Sequence, residues 1–410
     1  MAELRRSLPL SLVVLYGLGV MIGAGIYVLL GATAGKAGIH APVSFLLASI
    51  VMAFSAASYA ELSAHFPESA GEAAYVRAGF GSTLLATATG FLVILSGIIS
   101  SSAISVGSTG YIREFVDIPA SWLVVGIVLS LGGVAAWGIM QSVLFASLFS
   151  ILEVGALLYV VATGVIDDPS LVARVPELFP AFGDTAAWAG VAGAGLLAFF
   201  AFIGFEDIVN LAEEVENPER ALPWAIFLTL GIGTLIYFMV TAVTALSVPM
   251  DELIASKAPV SFVFEHISGL SPWAITAIAI AATLNGVIIQ IIMASRVLYG
   301  LAKQGSVPAF LGAVHQRTRT PLAATAAVTG IILILALTAP LESLAEWTSR
   351  IVLVVFALVN TALLILKVRG APTKEGCFTT WFAVPVLGLI TSVALLAEDR
   401  LITFIVYILE

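Results

Sequence analysis

Long apolar runs, separated by short clusters of Pro, Gly and charge, alternate along the whole chain. A hydrocarbon core of about 30 Å is crossed by roughly 20 apolar residues in a helix. On that length scale the runs predict eleven membrane-spanning helices, near 9–34, 43–64, 83–112, 121–141, 146–166, 187–212, 223–248, 273–302, 321–339, 344–368 and 380–397. The stretch 401–409 is apolar but too short to cross, and it reads as the first half of a truncated twelfth helix. The first run follows Arg5 and Arg6 but is longer than a signal-peptide core of roughly 7–15 residues. No small-residue cleavage site precedes polar sequence, so this run reads as the first span.

Composition supports the pattern. Apolar residues make up 60% of the 410 residues and charged residues only 10%, against about 45–50% and 25% in a soluble globular chain. So few charges cannot cover a soluble surface of this size, and the mean hydropathy is +1.09. The fold class expected is an all-α polytopic membrane protein, with residues 1–410 forming a single transmembrane domain. Lys and Arg set orientation in short loops. With the N-terminus inside, only Lys36, Arg113, Arg174, Lys257, Arg350 and Arg400 of the 17 fall outside. A multi-pass protein of the cell (plasma or inner) membrane with a cytoplasmic N-terminus is expected.

Several function classes are disfavoured. The single cysteine, Cys377, excludes an intramolecular disulfide, and His40, His65, His266 and His315 fall at helix ends or in loops. No Cys/His grouping has metal-ligand spacing, and no nucleophile–base set or phosphate loop suggests an enzyme. No cofactor, catalytic residue, nucleic acid or obligate protein partner is therefore expected. A channel would call for polar pore-lining stripes or a repeated filter, and neither is present. The partners expected are a small solute and the lipid bilayer.

Two halves of the chain can be laid over each other, a first repeat near 9–166 and a second near 187–368, with additional C-terminal helices near 380–410. The leading helix of each half is interrupted near its middle, at Gly23-Ala24-Gly25 and at Phe202-Ile203-Gly204-Phe205-Glu206. Five helices per half is odd, so the second half must enter from the opposite side. Inverted repeats with paired, discontinuous leading helices mark a midplane binding site in secondary transporters.

Four segments carry a family resemblance. They are Gly19-Val20-Met21-Ile22-Gly23-Ala24-Gly25-Ile26-Tyr27; Phe200-Ala201-Phe202-Ile203-Gly204-Phe205-Glu206; Glu213-Glu214-Val215-Glu216-Asn217-Pro218-Glu219-Arg220-Ala221-Leu222-Pro223; and Ala294-Ser295-Arg296 through Gly305 to His315-Gln316-Arg317-Thr318-Arg319-Thr320-Pro321. In this order they resemble the amino acid–polyamine–organocation (APC) superfamily of transporters. The resemblance implies a LeuT-like five-plus-five inverted repeat and amino acid transport by alternating access. The family usually has twelve spans, so this chain stops short of it.

An amino acid presents a carboxylate, an ammonium and a side chain. Where the first helix unwinds, the backbone N–H groups of Gly23, Ala24 and Gly25 can face the carboxylate, helped by the positive end of the following half-helix. Carbonyls near Ile22 and from Phe200 through Ala201 to Phe202 can accept from the ammonium. Ile203, Gly204 and Phe205 complete the second break. Phe200 matches a family position where an aromatic ring occludes the substrate, and rings at Phe200 and Phe205 would favour neutral or apolar side chains. Ser101 and Gln290 match family positions facing the substrate.

Two carboxylates stand at membrane depth, where a charge costs at least roughly 2.5–3.5 kcal/mol. Glu153 lies within the fifth span and Glu206 just after the second break. Burial disfavours the charged form, which suits either to proton exchange. The bland readings are a protonated Glu153 bonding a nearby Ser or carbonyl, and a Glu206 that caps an N–H at the break. A proton is therefore the coupling ion expected, with sodium symport, amino acid exchange and polyamine or organic-cation transport as alternatives. Glu213, Glu214 and Glu216 with Arg296, Arg317 and Arg319 read as solvated surface or as an inner gate of weak ion pairs.

Overall fold

A computed structural model describes residues 8–68, 71–137, 143–303, 305–315, 318, 320–371 and 376–397. The first apolar run forms two helices, α1 (Leu10–Ala24) and α2 (Ile26–Ala37), separated at Gly25. α3 (Ala41–His65) returns across, and α4 (Gly71–Phe80) is a short helix between spans. α5 (Thr83–Arg113) starts at Ser82, whose hydroxyl accepts from Leu85 N at 3.2 Å and so satisfies one of the free N–H groups of the first turn. α6 (Ala120–Trp137) and α7 (Val143–Asp167) follow, then the single turn α8 (Leu171–Arg174).

α9 (Thr185–Gly193) and α10 (Gly195–Phe200) make up the next run. Helix stops at Phe200, residues 201–205 form turns, and the chain resumes as a 3₁₀ helix, Glu206–Leu211. The span 187–212 is thus divided where the sequence predicts its interruption, because Gly204 adopts φ +128°, a conformation no helix contains. α11 (Pro218–Ser247) begins with Pro at a position where the missing N–H costs nothing. α12 (Met250–Ala255) and α13 (Pro259–Ser268) occupy what reads in sequence as a loop. α14 (Trp273–Lys303), α15 (Leu322–Thr338), α16 (Leu341–Val368) and α17 (Ala383–Leu396) complete the described helices.

Among the described residues, seven helical segments are long and apolar enough to cross a membrane, and four shorter ones are apolar, at Leu10–Gly23, Thr185–Phe200, Leu322–Thr338 and Ala383–Leu396. This is a helical polytopic membrane protein. The tail 401–409 lies outside the described residues.

α14 packs on α5, α11 on α3, and α16 on both α5 and α17, while α1 crosses α7, α11 and α14. At the centre stand the rings of Tyr59, Tyr75, Phe199, Phe205 and Phe356. Tyr59 meets Phe356 edge-on at 5.4 Å and Phe205 at 6.0 Å, geometries worth about 0.5–1.5 kcal/mol per pair beyond burial. In contrast, Trp122, Trp137, Trp224, Trp273 and Trp381 are exposed on the outer surface, where lipid and its interface accommodate them.

Candidate functional site

The two breaks lie against each other. A side-chain carbon on Gly25 would overlap the backbone of Ala201, so only glycine allows this crossing. On Gly204 a Cβ would stand 2.8 Å from Val20 Cγ1 and 3.0 Å from Met21 N, and on Gly23 it would stand 2.7 Å from Ala282 O. The glycines thus bring α1, the 201–205 turn and α14 into backbone contact. The α1 interruption is narrow: helix continues through Gly23 and Ala24 and breaks at Gly25 alone.

Tyr237 of α11 joins the breaks. Its hydroxyl lies 2.9 Å from Met21 O and 2.8 Å from Ala201 O, sharing one hydrogen between two break carbonyls. The Phe200 carbonyl accepts from Ile203 N at 3.1 Å. Phe202 packs on Tyr237 with ring centroids 5.0 Å apart, and Phe205 packs on Tyr59. Phe199 and Phe200 are fully buried.

Glu153 of α7 is 1% exposed, and neither carboxyl oxygen has a hydrogen-bond partner. Its Oε2 would be 3.8 Å from a Cβ on Gly23. The Tyr27 hydroxyl donates to the Glu153 backbone carbonyl at 3.1 Å, and Tyr111 donates to Tyr27 O. The Ser-bonded reading of Glu153 is therefore not what the structure contains. Glu206 does cap the break: Gly204 N donates to its Oε2 at 2.9 Å.

Beyond the break, a cavity of about 20 Å³ is lined from α5 by Ser96, Gly97 and Ser100, from the 3₁₀ segment by Glu206 and Asp207, and from α14 by Gln290 and Met293. Tyr59, Glu72, Val93, Ile203, Val352, Val355 and Phe356 complete its lining. One water needs roughly 10–15 Å³ of such space, so an amino acid enters only after the surrounding helices move. Gln290 Nε2 donates to Asp207 Oδ2 at 3.2 Å, and the Tyr59 hydroxyl donates to Glu72 Oε1 at 3.4 Å. Glu72, on α4 outside the spans, is pushed up to about 7 by burial; backbone and Tyr59 hydrogen bonds oppose the rise and the nearby Asp207 adds to it.

Ile203, Glu206 and Gln290 thus meet at the cavity, Gly25 and Ala201 meet at the crossing of the breaks, Gly23 lies against Ala282 O of α14, and Ile22 is fully buried. Ser101 turns away and donates to Val287 O at 3.4 Å, while Ser100 lines the cavity. On a helix, neighbouring residues point about 100° apart, and a run of three serines does not reveal which one faces the cavity. Tyr237, Tyr27, Glu72 and Asp207 were not singled out from the sequence. The tyrosines lie in apolar helices like many others, and Glu72 lies in a segment that reads as surface. Arg317 and Arg319 lie outside the described residues. Backbone groups of Glu214 and Glu216 pair with Leu8 at 3.0 Å each.

An amino acid permease family model matches residues 10–407. The chain belongs to the amino acid permeases of the APC superfamily. This permease is 30% identical over 390 residues to a branched-chain amino acid permease of Bacillus subtilis, covering 89% of this chain and 82% of that one. It is 31% identical over 410 residues to an uncharacterized transporter of Mycobacterium tuberculosis, covering 96% and 90%. Human cationic amino acid transporter 4 is 30% identical over 399 residues, covering 91% of this chain and 62% of that protein. The permease is a transporter and not an enzyme, its solute is an amino acid, and it is a multi-pass membrane protein.

Proposed function

We propose that this permease is a proton-coupled symporter of neutral, apolar amino acids, working by alternating access in a LeuT-like five-plus-five inverted repeat. The substrate's carboxylate and ammonium meet the backbone of the two breaks, and its side chain enters between α5, α14 and α16. Ile203, Val352, Val355, Phe356 and Met293 offer apolar walls there. The N-terminus is cytoplasmic in this reading, and the protein resides in the cell membrane.

The observation that carries proton coupling is Glu153. A buried acid without a hydrogen-bond partner is stable only when neutral, and this one lies beside Gly23, two residues before the break. It is also within electrostatic reach of the hydroxyls of Tyr27 and Tyr237. Tyr237 bonds a carbonyl in each break. A charge appearing on Glu153 is therefore felt where the substrate's polar groups bind. The Bacillus subtilis relative, a branched-chain amino acid permease, agrees with an apolar substrate.

A second reading, cationic amino acids, is favoured by Glu206 and Asp207 in the cavity wall and by the human relative, a cationic amino acid transporter. Both readings are tested by uptake of radiolabelled leucine and arginine into proteoliposomes, driven by a proton gradient, a sodium gradient or preloaded amino acid. Leucine uptake driven by protons is expected. In Glu153→Gln the ratio of gradient-driven to counterflow uptake should collapse. An unchanged ratio removes Glu153 from coupling, and sodium-driven or purely exchange-driven uptake overturns proton symport.

A further inference from the structure

Three carboxyls gather around the cavity next to the second break: Glu72, Glu206 and Asp207, exposed 4%, 7% and 6%. The side-chain carboxyls accept from neutral donors, namely Tyr59, Gly204 N and Gln290. None takes part in the ion pairs found among the described residues. Three buried anions without a counter-charge would repel one another strongly, so this group holds protons or a cation.

The cavity itself supplies a second, independent observation. Ser100 Oγ and Gln290 Oε1 are buried without a hydrogen-bond partner, and both residues line the cavity. Gln290 spends its N–H on Asp207, which leaves the oxygen directed at Gly97, 3.0 Å from where a Cβ would stand. Buried polar groups left this way call for a partner. A water fits the volume and would bridge them to the carboxyls. Among the described residues no three His, Cys, Asp or Glu side chains are grouped so as to hold a metal ion. Hence the occupant favoured is the proton.

We propose that Glu72, Glu206 and Asp207 form a second proton-binding site, separate from Glu153, which releases the coupled proton through Glu72 to the face carrying the N-terminus. This rests on the proton-symport reading above. The direction follows from chain tracing. α1 leaves that face, α3 returns to it at His65, and α4 with Glu72 lies between that return and the start of α5. The 3₁₀ segment carrying Glu206 and Asp207 runs on to Glu214 and Glu216, which pair with Leu8 on the same face. In the transfer, the O–H bond of the Glu206 or Asp207 acid breaks as a water takes the proton. That water gives one of its own protons to the Glu72 carboxylate, which then loses it to bulk solvent. No net charge is left behind once the next proton arrives.

The groups facing the site bear on its titration. Tyr59 and Tyr75 stand beside Glu72, with Glu68 near Tyr75. Tyr16 of α1 faces Asp207, with Glu214 and Arg296 further out. Arg77 and Arg296 are exposed. Lys367 is engaged by Glu61, and Arg369 donates to Gly79 O.

The test uses the full chain in proteoliposomes, with leucine uptake measured at fixed outer pH while the inner pH is stepped from 6 to 8. Each rate is divided by that variant's own leucine counterflow rate. In the wild type the normalised rate is expected to rise about tenfold, as Glu72 becomes free to lose its proton. In Glu72→Gln the rise should shrink to about twofold or less, and Glu72→His should restore it, because a titratable group returns. Asp207→Asn gives the same comparison if Glu72→Gln lacks counterflow. A Glu72→Gln protein that keeps the full inner-pH response overturns the second site and leaves proton symport standing. A wild type without proton-driven uptake overturns both.

Discussion

Single residues decide the chemistry of the breaks. Tyr237 replaces, with one hydroxyl, the helical partners that Met21 O and Ala201 O would otherwise have. Glu72 shows how position sets charge. The ordinary value of 4.5 belongs to a solvated carboxyl, and the folded protein holds Glu72 near 7 chiefly because its charged form is cut off from water. Below pH 4.5 both folded and unfolded states carry the proton, and Glu72 is neutral toward stability. Between 4.5 and 7 the unfolded chain ionises while the folded one does not, so stability falls as pH rises. The accumulated loss is on the order of 3 kcal/mol above pH 7. Glu72→Gln should therefore melt like the wild type at pH 4.5 and at a higher temperature at pH 8. Thermal unfolding in detergent reads this directly, and an equal difference at both pH values would exclude the burial effect.

Between elements, ties at the face carrying the N-terminus are polar and specific. Lys367 at the end of α16 lies 2.6 Å from Glu61 Oε1 of α3, and it also donates to Thr380 O at 2.8 Å. Glu61 Oε2 accepts from both Thr380 N and its hydroxyl at 2.7 Å. The group ties α3, α16 and the segment before α17 together. Glu61 is almost wholly buried while Lys367 keeps some water contact, with side-chain exposures of 4% and 17%. Removing one partner of a buried pair costs about 3–5 kcal/mol, mostly the stranded charge. Lys367→Met is expected near the low end, about 3 kcal/mol. Adding Glu61→Gln should recover part of the loss, because no charge is then left unpaired. Melting temperatures of the two variants check this, and a double variant less stable than the single one would rule out a stranded charge.

For the molecule as a whole, the small cavity and the contact between the breaks describe a site with too little room for an amino acid. In the alternating-access reading proposed above, the helices around it part on one side at a time. On the face carrying the N-terminus, Leu8 is paired through its backbone with the segment after the 3₁₀ helix, N to Glu214 O and O to Glu216 N. Opening on that face must break this bridge if the 206–216 segment moves with the gate. Paired Leu8→Cys and Val215→Cys, in a Cys377→Ala background, are expected to lose leucine uptake on oxidation and regain it on reduction. Full uptake by the oxidised, crosslinked protein would mean that the two segments travel together.

Some of this was legible along the chain, because a bilayer imposes one-dimensional rules. Hydrophobic length gave most helices to within a few residues, and low charge excluded a soluble fold. Gly25 and Gly204 marked both breaks, since glycine alone tolerates the close crossing and the φ of +128°. Family-specific segments pointed to an amino acid transporter. Partnership was not legible. That Glu206 would cap Gly204, that Glu153 would lack a hydrogen bond, and that Glu72 would reach the same cavity as Asp207 all depend on residues far apart in sequence meeting in space. Local pattern determines which helices form and where they must break. Only the packing of those helices decides which buried polar groups find partners and which are left without one.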